Sequence, residues 1–552
     1  MGRLFRTVRY MRPKQIINRI TRRLRLKPTL TGPSPTPNLS AVAWRNAAGR
    51  IPTMTAPLRF HFLGEDGEIK TPDDWNDASR PMLWLYNLHY FDDLRADNAA
   101  QRVEWHRSLI KRWRLENTPA LSIGWEPYPS SLRIVNWIAW ALSGEELDAQ
   151  TLQSLVAQVR HLRTTLEFHL LGNHLLANAK ALVFAGCFFA GPEAKGWLTT
   201  GLRLLNAELQ EQVLDDGGHF ELSTMYHAVV LEDLLDLIQL GRIFPTELGF
   251  ETQAWKVLAT RMLAWLSAMT HPDGEISFFN DAASGVARTY AALASYASDL
   301  EVTQQSDASQ LRRLAASGYF RLEVPPFCTF FDAAEIGPFY LPGHGHADAL
   351  SIEVSVHGQR LLTNSGTSTY APGGLRDDER ATSSHATLEI DGYDSSEVWA
   401  SFRVGRRARP FDVNCGMTDN GVWAEACHDG YRWLPGKPVH KRRIEVSSST
   451  LRILDQVIGG TSHSVVSRLP LHPSVAAISQ DTDGWKLELN GGCILDVRTI
   501  GPVRLSIAEG FYAPTFGRRV QRPVLTWQYE GRLPLTVETR FELKRANSFA
   551  DR

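Results

Sequence analysis

The chain has 552 residues, 43% hydrophobic and 22% charged, a balance that suits a globular protein of two or three domains and excludes a disordered or fibrous one. Its formal net charge of −1 hides an asymmetry: the first 28 residues hold ten of the 59 lysines and arginines and no acid, which leaves 49 bases against 60 acids in the rest. That acidic body argues against nucleic acid as a partner. No run of about 18 apolar residues marks a membrane span, and five scattered cysteines imply neither a disulfide framework nor a zinc cluster.

In residues 1–28 the apolar Leu4, Phe5, Val8, Ile16, Ile17, Ile20 and Leu24 are spread among the bases. The pattern predicts an amphipathic helix resting either on an anionic membrane surface, as a peripheral contact, or on the acidic body. The continuous apolar core and cleavage site of a secretory signal are missing, so the expected location is cytoplasmic or at the inner membrane. Residues 28–40, PTLTGPSPTPNLS, read as a Pro-rich linker that completes a first segment of residues 1–40, and residues 41–80 carry no clear period.

Residues 81–317 read as all-helical. Leu152, Leu155, Val156, Val159, Leu162 and Leu166 form one apolar stripe, and Trp255, Leu258, Met262, Trp265, Leu266 and Met269 another. A faint repeat runs through this region: helices lead into Asp216-Gly217-Gly218-His219-Phe220 and, 57 residues later, into Asp273-Gly274-Glu275-Ile276-Ser277-Phe278. Helical hairpins closing into a toroid would give this pattern; a simple helical bundle is the alternative. Residues 318–545 switch to period two with hairpin turns at Asp391-Gly392 and Asn490-Gly491-Gly492, which predicts an antiparallel β-sandwich.

Chemistry concentrates in LPGHGHADALSIEVSVHGQRLLTNSGTSTY, residues 341–370. If residues 344–348 run extended, His344, His346 and Asp348 share one face. In the helical region Asn173 reads as the N-cap of an apolar helix with His174 in its first turn. Glu221, Tyr226 and His227 follow the first Asp-Gly loop, and Trp125, Glu126, Tyr128 and Arg133 offer aromatic faces and a cation suited to a sugar carboxylate. Each of these alone also reads as capping, core packing or a packed loop.

Taken in order, GNHLLANAKAL, DGGHFELSTMYH, GHGHADALSIEV, LLTNSGTSTY, SSHATLEIDG and SSEVWASFRV resemble the heparinase II/III type of polysaccharide lyase and the related oligoalginate lyases, over roughly residues 80–540. The resemblance implies an incomplete (α/α) toroid followed by an antiparallel β-sandwich, with the active cleft between them. It implies β-elimination at a uronic acid of an anionic polysaccharide or oligosaccharide. By it, Asn173 and His174 match the groups that neutralise the substrate carboxylate, Tyr226 the acid/base tyrosine and His344 a second catalytic group. The division of base and acid between the last two stays open. It further implies a metal, usually zinc, held by two histidines and an aspartate. His346 and His385 match the histidines, but the aspartate position holds Asn364, so a metal-free cluster is favoured over a structural zinc, and no cofactor is expected to be required. Two other functions remain in view: a glycoside hydrolase using Asp216 with Glu221 or Glu126, and a polysaccharide-binding or assembly protein without turnover.

Overall fold

A computed structural model describes residues 2–21, 29–38, 40, 42–117, 122–304 and 307–544 of the chain. Two helices open it, α1 (Arg3–Val8) and α2 (Pro13–Thr21). They lie on the body: Arg3 and Arg6 pair with Glu397, and Arg12 with Glu211. Of the two seats expected for the basic segment, the structure has the acidic body. Residues 22–28, with four of the ten bases and Leu24, lie outside the described residues.

The Pro-rich stretch is fixed rather than a free linker. Arg160 donates to the carbonyls of Leu30 (3.3 Å) and Pro33 (2.8 Å), and Asn38 N donates to Phe188 O (2.6 Å). Residues 54–68, inside the stretch without a readable period, form a three-stranded antiparallel sheet of Met54–Ala56, Arg59–Phe62 and Glu65–Glu68. Its strands are three and four residues long, too short for a periodicity to show.

The helical region comprises α3 (Met82–Tyr90), α4 (Val103–Glu116), α5 (Pro127–Leu142), α6 (Ala149–Thr165), α7 (Gly172–Phe188), α8 (Pro192–Gln212), α9 (Thr224–Ile243), α10 (Pro245–Ala268) and α11 (Tyr290–Asp299). Helices α3, α5, α7 and α9 contact one another in series, and α6, α8 and α10 pack outside them. This two-layer arrangement explains the pattern of stripes. The readable stripes belong to the outer helices α6 and α10, which have one buried face. Inner helices are covered on both sides and are apolar almost all round: every residue of α7 except His174 is buried. Gly186 lets α7 and α8 meet closely, since a Cβ there would lie 2.5 Å from Leu198 N.

The repeat is structural. Val213 bridges His219 and Thr270 bridges Ile276, each pair offset from the other by the same 57 residues, and Gly217 and Gly274 turn the two loops at φ 90° and 89°. Both loops dock on the sandwich. Asp216 accepts from Ser317 N (2.7 Å) and Oγ (2.9 Å), and Asp273 from Arg360 Nε (2.7 Å).

The β region begins with Leu311–Leu314, earlier than the hairpin turns alone suggested. It starts a five-stranded sheet continued in order by Tyr319–Val324, Phe327–Asp332, Ile352–Val356 and Gln359–Leu362. An eight-stranded antiparallel sheet (residues 410–544 in part) and a four-stranded sheet built on Arg504–Thr515, Arg518–Arg532, Ser462–Pro470 and Leu388–Ile390 complete the sandwich. Their inner faces share one apolar core, including Leu362, Ile444, Ile453, Leu469, Leu487, Leu525 and Phe541.

The extended reading of residues 344–348 does not hold. Residues 341–351 form a loop, Leu350 takes φ 59°, and the strand begins at Ile352. His344 and His346 still point to one place, because both are drawn to a buried carboxylate, Asp281.

Candidate active site

Toroid and sandwich enclose a cleft of about 1680 Å³, lined by Tyr128, Asn173, His174, Glu221, Tyr226 and His344 among others. α7 and α9 supply its helical wall. Asn173 is not the N-cap expected from the sequence; that position is Leu171, at φ 68°, and the helix starts two residues earlier than expected, at Gly172. The Asn173 side chain turns instead to Glu221, whose carboxylate accepts from Asn173 N (3.2 Å) and from its amide Nδ2 (3.2 and 3.3 Å).

In the first turn of α7, His174 Nδ1 lies 3.1 Å from Glu167 and its ring packs 4.4 Å from Tyr128. Burial works against the charged imidazolium, but Glu167, Glu221 and Glu126 outweigh it, and the His174 pKa is raised above its ordinary value. An imidazole whose charged form is favoured and an amide therefore stand together where the first turn of a helix adds its positive end.

His344 is the centre of the arrangement. Its Nδ1–H donates to Asp281 Oδ2 at 2.7 Å, because a carboxylate can only accept. Its Nε2 faces Glu221 Oε2 at 3.4 Å, and its ring lies 4.0 Å from that of Tyr226. The Tyr226 hydroxyl shares a 2.9 Å hydrogen bond with Tyr370. Burial, then Tyr370 and Asp281, push the Tyr226 pKa well above its usual value, so it carries its proton at neutral pH.

Asp281 anchors the whole set. It accepts from His344, from His346 Nε2 (2.8 Å) and from both terminal nitrogens of the fully buried Arg376, one of them at 2.7 Å. Burial opposes its charge, but Arg376 and the two histidines hold it ionised, well below the ordinary carboxylate range.

The remaining expected residues divide. Glu126 stands exposed at the rim, accepting from Tyr86, which lines the cleft. Trp125 is core: it stacks 5.9 Å from Trp113 and donates Nε1 to Asn117 O. Arg133 is fully buried, donating to Gln158, His89 O and Gly124 O over the face of Trp113, so it cannot meet a substrate carboxylate. His227 is fully buried between Met262 O and the Trp265 ring, and its pKa is lowered by burial to about 3. The hydrolase pairing also loses a member, since Asp216 is spent on Ser317.

The residues matched to the family's zinc site make a donor set that fits zinc poorly. His346 Nδ1 lies 3.2 Å from His385 Nε2, and His385 Nδ1 lies 3.0 Å from the side-chain amide of Asn364. Asn364 Nδ2 is buried with no other partner, so turning that N–H to His385 completes a chain of ordinary hydrogen bonds from Asn364 through both imidazoles to Asp281. Among the described residues, no group of three or more His, Cys, Asp or Glu is placed to hold a metal ion. Burial and Arg376 and Arg380 lower His346 to about 4, although Asp281 pulls the other way, and Arg522 acts on His385 in the same sense as burial: cationic surroundings that oppose a metal ion.

Asp281, Arg376, Tyr370 and Glu167 were not singled out from the sequence. A signal existed for Asp281: the first Asp-Gly loop is followed shortly by Glu221, and the second by Asp281, so both repeats deliver a carboxylate to His344.

Comparison with known proteins agrees with this architecture. Residues 107–308 match the model of the heparinase II/III N-terminus and residues 306–543 that of the heparinase II/III-like C-terminal region. FtsZ-localized protein C of Caulobacter vibrioides is 26% identical over 441 residues, 75% of this chain and 69% of that protein. Heparin-sulfate lyase of Pedobacter heparinus is 28% identical over 247 residues, 40% of this chain and 36% of the lyase. The crystal structure of heparinase III superposes with a TM-score of 0.69 at 18% identity, covering 88% of this chain and 81% of that one, which shows a common fold. With most of its length matched by the two models, the chain belongs to the heparinase II/III family.

Proposed function

We propose that this protein is a lyase that cleaves a uronic-acid-containing polysaccharide by β-elimination. One observation carries the reading: His344 is held by Asp281 through Nδ1, which turns Nε2 into the cleft beside a protonated tyrosine. The C5 proton of a uronate is weakly acidic because its carboxylate is already anionic. The His174 imidazolium, at the start of α7, offsets the charge of that carboxylate, and the Asn173 amide, on turning from Glu221 to the substrate, donates to it and stabilises the enolate-like state.

His344 Nε2 then takes the C5 proton, and Glu221 at 3.4 Å stabilises the imidazolium that forms. Tyr226 gives its phenolic proton to the departing O4. The C4–O4 bond breaks, the electron pair of the C5–H bond becomes the C4–C5 double bond, and one proton passed from His344 to Tyr226 resets the site.

The heparin-sulfate lyases among the relatives support an anionic glycan as substrate. FtsZ-localized protein C, aligned over 75% of the chain, is named for a localisation and not for a reaction, which supports, as a second reading, a glycan-binding protein that acts without turnover. Absorbance of the unsaturated uronate, followed across a panel of uronic-acid polysaccharides, separates the two. Under the lyase reading, absorbance rises with wild type and Tyr226→Phe lowers kcat by about 10²–10⁴-fold. New reducing ends without absorbance would indicate hydrolysis, and retention on an immobilised glycan without either product would leave the binding protein.

A further inference from the structure

The two N-terminal helices lie before the region covered by the family models, which begins at residue 107, and yet they line the cleft through Leu4, Tyr10, Gln15 and Arg19. They also tie its two walls together. On the toroid side, Arg12 forks onto Glu211, Gln15 Nε2 reaches Leu170 O and Lys14 lies 4.2 Å over Phe168. On the sandwich side, Arg6 binds Glu397 at 2.5 and 2.8 Å, Thr7 accepts from Trp399 Nε1, and Tyr10 packs edge-on against Phe339.

These contacts converge on one loop. The Arg12 guanidinium stacks 3.7 Å over the Tyr340 ring while it pairs with Glu211, and Tyr340 OH donates to the same Glu211 at 2.9 Å. Arg407 stacks 3.9 Å over Tyr10 and donates to Phe339 O at 2.7 Å. Phe339 and Tyr340 are followed within four residues by His344, through the turns Leu341 N to Pro338 O and Gly345 N to Pro342 O. From Tyr340 to His344 the chain has no strand or helix to hold it.

We infer that the N-terminal helix pair is a working wall of the cleft that holds the His344 loop in register, with Arg12 as a positioning residue acting through Tyr340. A planar guanidinium suits the task because it stacks on a ring and forks onto a carboxylate at once, which an ammonium cannot do. Arg12 does not touch the reacting atoms. Its effect reaches the reaction through the placement of His344 Nε2, and a misplacement of about 1 Å is enough to cost on the order of 10²-fold in rate.

The test uses the full chain carrying Arg12→Ala or Arg12→Lys. Hydrogen exchange of residues 336–346 is read in the absence of substrate, so this arm does not depend on the lyase reading; the kinetic arm does. For Arg12→Ala the expected result is faster exchange confined to 336–346, an unchanged melting temperature, and a kcat about 10-fold or more lower with KM for a short oligosaccharide unchanged. Arg12→Lys should fall between wild type and alanine. Unchanged exchange at 336–346 would overturn the inference, as would a general rise in exchange with a lowered melting temperature, which marks a merely structural role. If wild type itself fails to turn over any uronate polymer, the lyase reading fails and the exchange result alone decides the role of Arg12.

Discussion

Replacing Asp281 by Asn changes one oxygen for one nitrogen, with no change in size, in a side chain that holds five donors. Two effects follow, and they separate by assay. The first is stability. Arg376 and Asp281 are both fully buried, and removing one partner of such a pair costs about 3–5 kcal/mol, a drop in melting temperature on the order of 10 °C. The second is chemical. Asn can present an N–H where His344 now donates its own, turning the imidazole to the wrong tautomer, and in the serine-protease triad the same exchange costs about 10⁴ in kcat. A fall of about 10³–10⁴-fold is therefore expected from initial rates of unsaturated-uronate formation, at a temperature well below the lowered melting point and with an unchanged circular-dichroism spectrum. The sign of the pH dependence is fixed as well. A carboxylate whose folded pKa is depressed contributes its stability at every pH above its unfolded value of about 4 and loses it as the pH falls through the folded value. The gap in melting temperature between wild type and Asp281→Asn should be full at neutral pH and narrow only in strong acid. A variant that keeps kcat within tenfold of wild type would refute the role of Asp281 in orienting His344.

His174 gives a prediction of opposite sign. Its pKa is raised, so its charge persists above the ordinary imidazole value of about 6.5 and is lost only as the pH rises through the raised value. KM should be flat in weak acid and climb on the alkaline side, and Glu167→Gln should move that climb to lower pH; a KM independent of pH across this range would contradict the assignment. Because the His346–His385–Asn364 donor set does not fit zinc, exhaustive chelation should leave both kcat and melting temperature unchanged, and metal analysis of the purified protein showing a stoichiometric ion would refute it.

The layers of this fold were legible to different degrees for a physical reason. Helices α6 and α10 bury one face, so their stripes can be read directly, whereas α7 is buried on all sides and offers only an apolar run. Tyr226 and His344, the pair proposed to act as acid and base, could be named because both sit in motifs with family resemblance. Their supports could not: Asp281 is 63 residues from His344 and Arg376 is 95 residues from Asp281, and no local spacing encodes such contacts. Arg133 misled because a cation among aromatic residues reads as a sugar site, while in the structure its planar face covers Trp113 and its donors satisfy buried carbonyls. Asn173 misled in a milder way, since Asn before an apolar helix reads as a cap, and Glu221 claims the side chain instead.

The imidazole of His344 belongs to the sandwich, while the two carboxylates that grip it come from equivalent loops of the toroid's repeat. Neither half of the molecule is a catalyst waiting for the other. Chimeras that join the helical half of one relative to the β half of another should therefore be active only where Glu221 and Asp281 meet a histidine at the position of His344. Within that constraint, exchanging residues of the outer cleft is expected to alter glycan preference and leave the Glu221–His344–Asp281 contacts in place.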